Sequence, residues 1–121
     1  MKWKISYLAE ENIIYTETEG EMNVESLNAM AKEINEAIGK YGSTLLLMDH
    51  RKVILQLSAV DIYDRPKSLK MFGIQKDAKI AEVALKSKLE DFDFFEAVAR
   101  NRGYQILVFV DIDSAKKWLK S

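Results

Sequence analysis

Few residues in this chain could do chemistry, and they are scattered. The single histidine, His50, sits in MDHRK (48–52), between Asp49 and Arg51. A histidine that works as a general base needs a nucleophile and an orienting acid within reach. No serine is adjacent in sequence, and no GxSxG elbow occurs. A metal site with one histidine would need further oxygen ligands that the spacing does not supply. His50 therefore reads as a polar loop residue at the exit of a strand. Asp49 stands at the carboxyl end of a buried run, where open α/β sheets receive ligands. Its structural alternative is to accept loop N–H groups and to pair with Arg51.

Three other stretches compete for attention. Lys86, Ser87 and Lys88 precede a helix, whose N-terminus favours an anion. Asp91 caps that helix in the alternative reading. Asp111 and Asp113 in DID could hold Mg²⁺, but helix capping explains them better. Ser58 and Asp61 have the spacing of a capping box. The ARNRG segment (99–103) reads as scaffolding, with Gly103 stopping a helix and Arg100 and Arg102 suiting its dipole. The candidate ligand- or partner-binding set is thus Asp49, His50, Arg51, Ser58, Lys86, Ser87, Lys88 and Asp111. No catalytic residue, metal site or cofactor is expected. GxGxxG and GxxxxGK[ST] are both absent.

The elements that must position these residues follow from hydrophobic period. WKISYL (3–8) alternates, and IIYTETE (13–19) is β-branched and ends at Gly20, so the two form an antiparallel hairpin. Asn23 caps a helix whose stripe is Val24, Leu27, Met30 or Ala31, Ile34 and Ile38, and Gly39 and Gly42 stop it. Thr44–Met48 is a continuous apolar run, as expected of a central parallel strand. Residues 58–72 read as a helix broken at Pro66, with Gly73 ending it. KIAEVAL (79–85) is the fourth strand. Phe92, Phe95, Val98 and Ala99 mark the third helix, with Phe94 at its flank. YQILVFV (104–110) is the fifth strand. DIDSAKKWLK forms the last helix, with Trp118 and Leu119 turned inward. The order β-β-α-β-α-β-α-β-α predicts an α/β domain over 1–121, with a mixed five-stranded sheet.

Composition narrows the function classes. The 121 residues carry a formal charge of −1, which speaks against nucleic acid as a partner. The chain has no cysteine, so disulfides and thiolate metal sites are excluded and a cytoplasmic home is expected. No apolar run has the length of a signal peptide core or a membrane span.

LLLMDHR (45–51), KIAEVAL (79–85), FFEAVARNRG (94–103) and VFVDIDSAKKWL (108–119), in this order of elements, resemble the SpoIIAA-like branch of the STAS domains. That is the sulfate-transporter and anti-sigma-factor-antagonist fold, also compared with CRAL-TRIO domains. The resemblance implies a bacterial or archaeal regulatory module, not an enzyme. It also implies a phosphorylatable Ser or Thr at the start of the helix after the third strand. Ser58 is the nearest residue, although the D-S-x-G context of the family is absent here. Two kinds of partner are expected: a protein, or a small apolar or anionic ligand held between sheet and helices. In the second case the Pro66 break would let a lid move. A homodimer through the hairpin edge or a helix face is the oligomer the pattern allows.

Overall fold

The computed structural model describes every residue except Phe72. Strand β1 (Lys2–Leu8) pairs antiparallel with β2 (Ile13–Met22), from Leu8 opposite Ile13 to Lys2 opposite Glu19. Asn12 turns the hairpin at φ 57, a left-handed conformation that Asn tolerates. β2 passes through Gly20 to Met22 instead of ending at the glycine.

Helix α1 (Val24–Tyr41) starts at a reciprocal cap. Asn23 Oδ1 accepts the Ser26 N–H at 2.9 Å, and Ser26 Oγ accepts the Asn23 N–H at 3.2 Å. Leu27, Met30, Ala31, Ile34 and Ala37 are buried, while Val24 is exposed. The helix ends at Gly42, whose φ of 68 lets its N–H reach Ile38 O. Gly39 is inside the helix, one turn before the stop.

Strand β3 (Leu45–Leu55) runs well beyond the expected Met48. Helix α2 (Ala59–Met71) is continuous across Pro66, where a break was expected. Proline costs that turn one N–H. The buried side chains of Ile62, Pro66 and Leu69 hold the helix together regardless, and the Tyr104 hydroxyl donates to Pro66 O at 3.4 Å. The part of the expected helix at Phe72 lies outside the described residues. Strand β4 (Lys79–Val83) stops two residues short of Leu85. A 3₁₀ turn (Lys86–Lys88) leads into α3 (Leu89–Asn101). Asp91 is inside the first turn of α3 and does not cap it. Strand β5 (Gln105–Phe109) and helix α4 (Ile112–Leu119) complete the chain.

The sheet order is β1-β2-β3-β4-β5, with only β1 antiparallel. Parallel strands laid side by side with crossovers of one hand place their helices on one face. Accordingly α1, α2 and α3 cover an inner face of Ile14, Leu46, Met48, Ile80 and Ile106. The outer face of Ile13, Leu47, Ala81 and Val83 is covered by Ala115 and Leu119 of α4. Leu119 is turned inward as expected; Trp118 is half-buried, tilted against Phe109.

Candidate functional site

One irregularity in the sheet decides where the chemistry-bearing residues go. Glu17 pairs with Asp49 and Glu19 with Lys52, so His50 and Arg51 together face Thr18 across a β-bulge in β3. A bulge re-aims side chains, because the alternation slips by one. Before it, Leu46, Met48 and His50 point inward. After it, Val53 is buried and Ile54 is exposed. His50 is therefore not a loop residue at a strand exit. It is 4% exposed, in the middle of the strand.

The bulge brings three side chains into line under the helices. The Thr18 hydroxyl donates to Asp49 O at 2.9 Å. All three hydrogen bonds of the cluster are made together when the Thr18 oxygen accepts from His50 Nδ1 at 2.7 Å, which places a proton on Nδ1. His50 Nε2 lies 2.9 Å from Glu82 Oε2. That hydrogen bond needs one further proton between the two groups, carried as imidazolium or as carboxylic acid. The Phe92 ring stacks on the imidazole with centroids 5.7 Å apart. Glu82 comes from β4, where Ala81 and Val83 face outward and Glu82 inward.

Thr18, His50 and Glu82 have the membership of a catalytic triad without its geometry. The hydroxyl gives its proton to a carbonyl, not to the imidazole, and Thr18 is 3% exposed. No nucleophile is being prepared for a substrate.

The cluster opens on a cavity of about 80 Å³ between the sheet and the three helices. Its wall is largely carbon, including Met22, Met30, Met48, Leu69, Ile80 and Phe92, and it is interrupted by His50, Glu82, Arg65 and Asp91. Arg65 is anchored by Asn28 Oδ1 at 2.8 Å and Leu27 O at 3.2 Å. Burial pulls its guanidinium down to about 10, so it remains charged at neutral pH. Partly exposed Leu55 and Leu57 stand at the rim.

The other expected site residues lie elsewhere. Asp49 faces outward and holds Arg51 through Nε and Nη2, both at 2.9 Å, while its Oδ1 also accepts the Arg51 N–H that the bulge frees. Burial pushes the Asp49 carboxyl up, but the Arg51 hydrogen bonds outweigh it and hold the group below its usual range. Tyr15 lies beside it, its hydroxyl pushed up first by burial and then by Glu17 and Asp49. Ser58 Oγ accepts the Asp61 N–H at 3.1 Å, and Asp61 returns the bond to the Ser58 N–H at 2.9 Å. Asp111 caps α4 through the Ser114 N–H at 2.7 Å, and that bond lowers its carboxyl. Lys86, Ser87 and Lys88 are exposed on the 3₁₀ turn. His50 is thus separated from Asp49 and Arg51 by the thickness of the sheet, and the expected residues form no single pocket.

Thr18, Glu82 and Arg65 were not among the residues singled out from sequence. Glu82 left a trace: an acid flanked by alanine and valine in KIAEVAL needs a buried partner. Among the described residues, no group of three acidic or histidine side chains could hold a metal ion, and no helix is long and apolar enough to cross a membrane.

No protein-family model and no curated protein matches the sequence. Among solved structures, an anti-sigma factor antagonist from Mycobacterium paratuberculosis matches with a TM-score of 0.66. The match covers 99% of this chain and 96% of that one, at 13% sequence identity. At that identity the likeness speaks to architecture, and it agrees with the strand order, the mixed sheet and the placement of the helices. The chain therefore has the STAS-like fold of the anti-sigma factor antagonists.

Proposed function

We propose that this chain is a non-enzymatic regulatory module that works by protein contact, and that its partner docks on the carboxyl edge of the sheet. The observation that carries this reading is where exposed apolar side chains collect. Val24 follows β2, Ile54 stands next to last in β3 before Leu55, Val60 is in the first turn of α2, Leu85 follows β4 and Val110 follows β5, all at that edge. Ile54 is 58% exposed and Val60 67%. Scattered surface apolar residues need no explanation, but five of the eight large apolar residues exposed among the described residues stand at this one edge, which supports a contact surface there. The likeness to an anti-sigma factor antagonist supports the same class of role. A cysteine-free chain suits the reducing cytoplasm.

Ser58 lies within this edge at the start of α2. Phosphorylation there would add charge beside Val60 and displace Asp61 from the cap, which is a direct way to switch the surface. The test compares crosslinked partners recovered from native cells by four forms of the protein. Wild type and Met71→Asp, which alters an exposed residue at the opposite edge, are expected to retain one common partner. The Ile54→Asp/Val60→Asp double variant should lose it, and Ser58→Asp should weaken it. Equal recovery by all forms would remove the edge from consideration.

A further inference from the structure

The inner cavity combines two features that conflict in an empty site. Its wall is mostly hydrocarbon, yet it contains a buried acceptor without a donor. Glu82 is 6% exposed, and its Oε1 has no hydrogen-bond partner while Oε2 is held by His50. Thr16 Oγ1, also unpartnered, stands in the same row of the sheet, separated from Glu82 by Met48. A buried acceptor left unmade is costly. A water could reach Oε1, but a stable buried water needs two to four polar partners; most of the wall is carbon, and the Arg65 guanidinium in it is already held by Asn28 Oδ1 and Leu27 O.

We propose that the cavity binds a neutral aliphatic alcohol, with its hydroxyl donating to Glu82 Oε1 and its hydrocarbon against Met48, Ile80 and Leu69. Charge decides for a neutral ligand. The His50–Glu82 hydrogen bond holds one proton between the two groups, which leaves the pair without net charge, and the Arg65 guanidinium in the wall is offset by the Asp91 carboxylate. An ammonium group would add an unbalanced cation, and a carboxylate would set oxygen against oxygen at Glu82. Size sets the scale. The cavity is about 80 Å³, against the ~150 Å³ that admits benzene, so it takes about three or four heavy atoms of the ligand. A longer chain would leave by the rim at Leu55 and Leu57. That rim faces the carboxyl edge, where open α/β sheets receive ligands.

The methionines provide the readout. Met22, Met30 and Met48 line the cavity, whereas Met1 and Met71 do not. Methyl NMR titrations of the intact protein with 1-propanol should shift the first three methyl signals saturably and leave the other two in place. 1-Chloropropane, the same chain without a donor, should bind about tenfold more weakly, the worth of one buried hydrogen bond. Propylammonium and propionate should also fall below propanol. In Glu82→Leu the preference of propanol over chloropropane should vanish; if that variant does not fold, the wild-type ratio decides alone. Absence of a saturable shift with propanol would overturn the proposal. So would chloropropane or propylammonium equalling propanol.

Discussion

Asp49 and His50 are adjacent in one strand and live in different solvents. On the outer face a single short helix leaves the Asp49–Arg51 pair near water, with the Arg51 side chain 41% exposed. On the inner face three helices bury His50 with Glu82 at side-chain exposures of 2% and 8%. Both pairs have the same 2.9 Å separation. The contrast teaches that the depth of a pair sets its consequence, whatever its length. The outer pair is one of many that solvent could replace. The inner pair is interlocked with Thr18 and Phe92 and cannot lose one member without stranding the other.

Breaking the inner pair should therefore give the largest effect. His50→Ala leaves Glu82 buried without its partner, and removing one member of a buried pair costs about 3–5 kcal/mol. Urea denaturation would measure it. Replacing both members, as His50→Leu with Glu82→Leu, should cost less than the sum of the two single changes, because neither charge is stranded. A single-variant loss below about 1 kcal/mol would place the pair in the class of surface ion pairs and erase the contrast.

A smaller effect is expected from loosening the outer cover. Asp111 holds the first turn of α4, and Asp111→Ala should lower the urea midpoint by less than either change to the inner pair. Hydrogen exchange should show faster exchange in α4 and unchanged protection in α1 to α3. Uniformly faster exchange would mean that the two layers unfold as one unit, and that the faces are less independent than their packing suggests.

The same contrast explains which parts of the molecule were legible from sequence. Asn23, Ser58 with Asp61, and Asp111 act on backbone groups within a few residues, so spacing alone pointed to these caps, although it left Asp111 and Asp113 both open and offered Asp91, which does not cap α3. The succession of elements along the chain followed from local periods. The inner cluster depends on long-range pairing of β2, β3 and β4, which no local window contains. The bulge hid it further. Arg51 and Lys52 interrupt the alternation after His50, and a strand that slips its register there looks like a strand that ends. Pro66 misled in the opposite direction, because tertiary burial of Ile62 and Leu69 overrides the cost of one missing N–H. Glu82 was visible but had no visible partner, since His50 lies 32 residues earlier in sequence and reaches it only across the sheet.

The smallest effect should come from the outer pair, and its sign is set by linkage. The Asp49 carboxyl is held below its unfolded value, so the folded state binds this proton less readily than the unfolded chain does. Its stabilisation is full above the ordinary carboxylate range of about 4 and is lost as pH falls through the lowered folded value. Asp49→Asn should thus cost about 0.2–1 kcal/mol at neutral pH, as for an exposed pair, and the deficit should shrink below pH ~4. Urea midpoints of wild type and variant across that range would test this. A deficit that persists unchanged in acid would assign the loss to the Arg51 N–H at the bulge, which Asn can still accept only in one orientation, and not to the charge. The outer residue would then serve the same irregularity that aims His50 inward, and the two faces would be coupled through the backbone of β3.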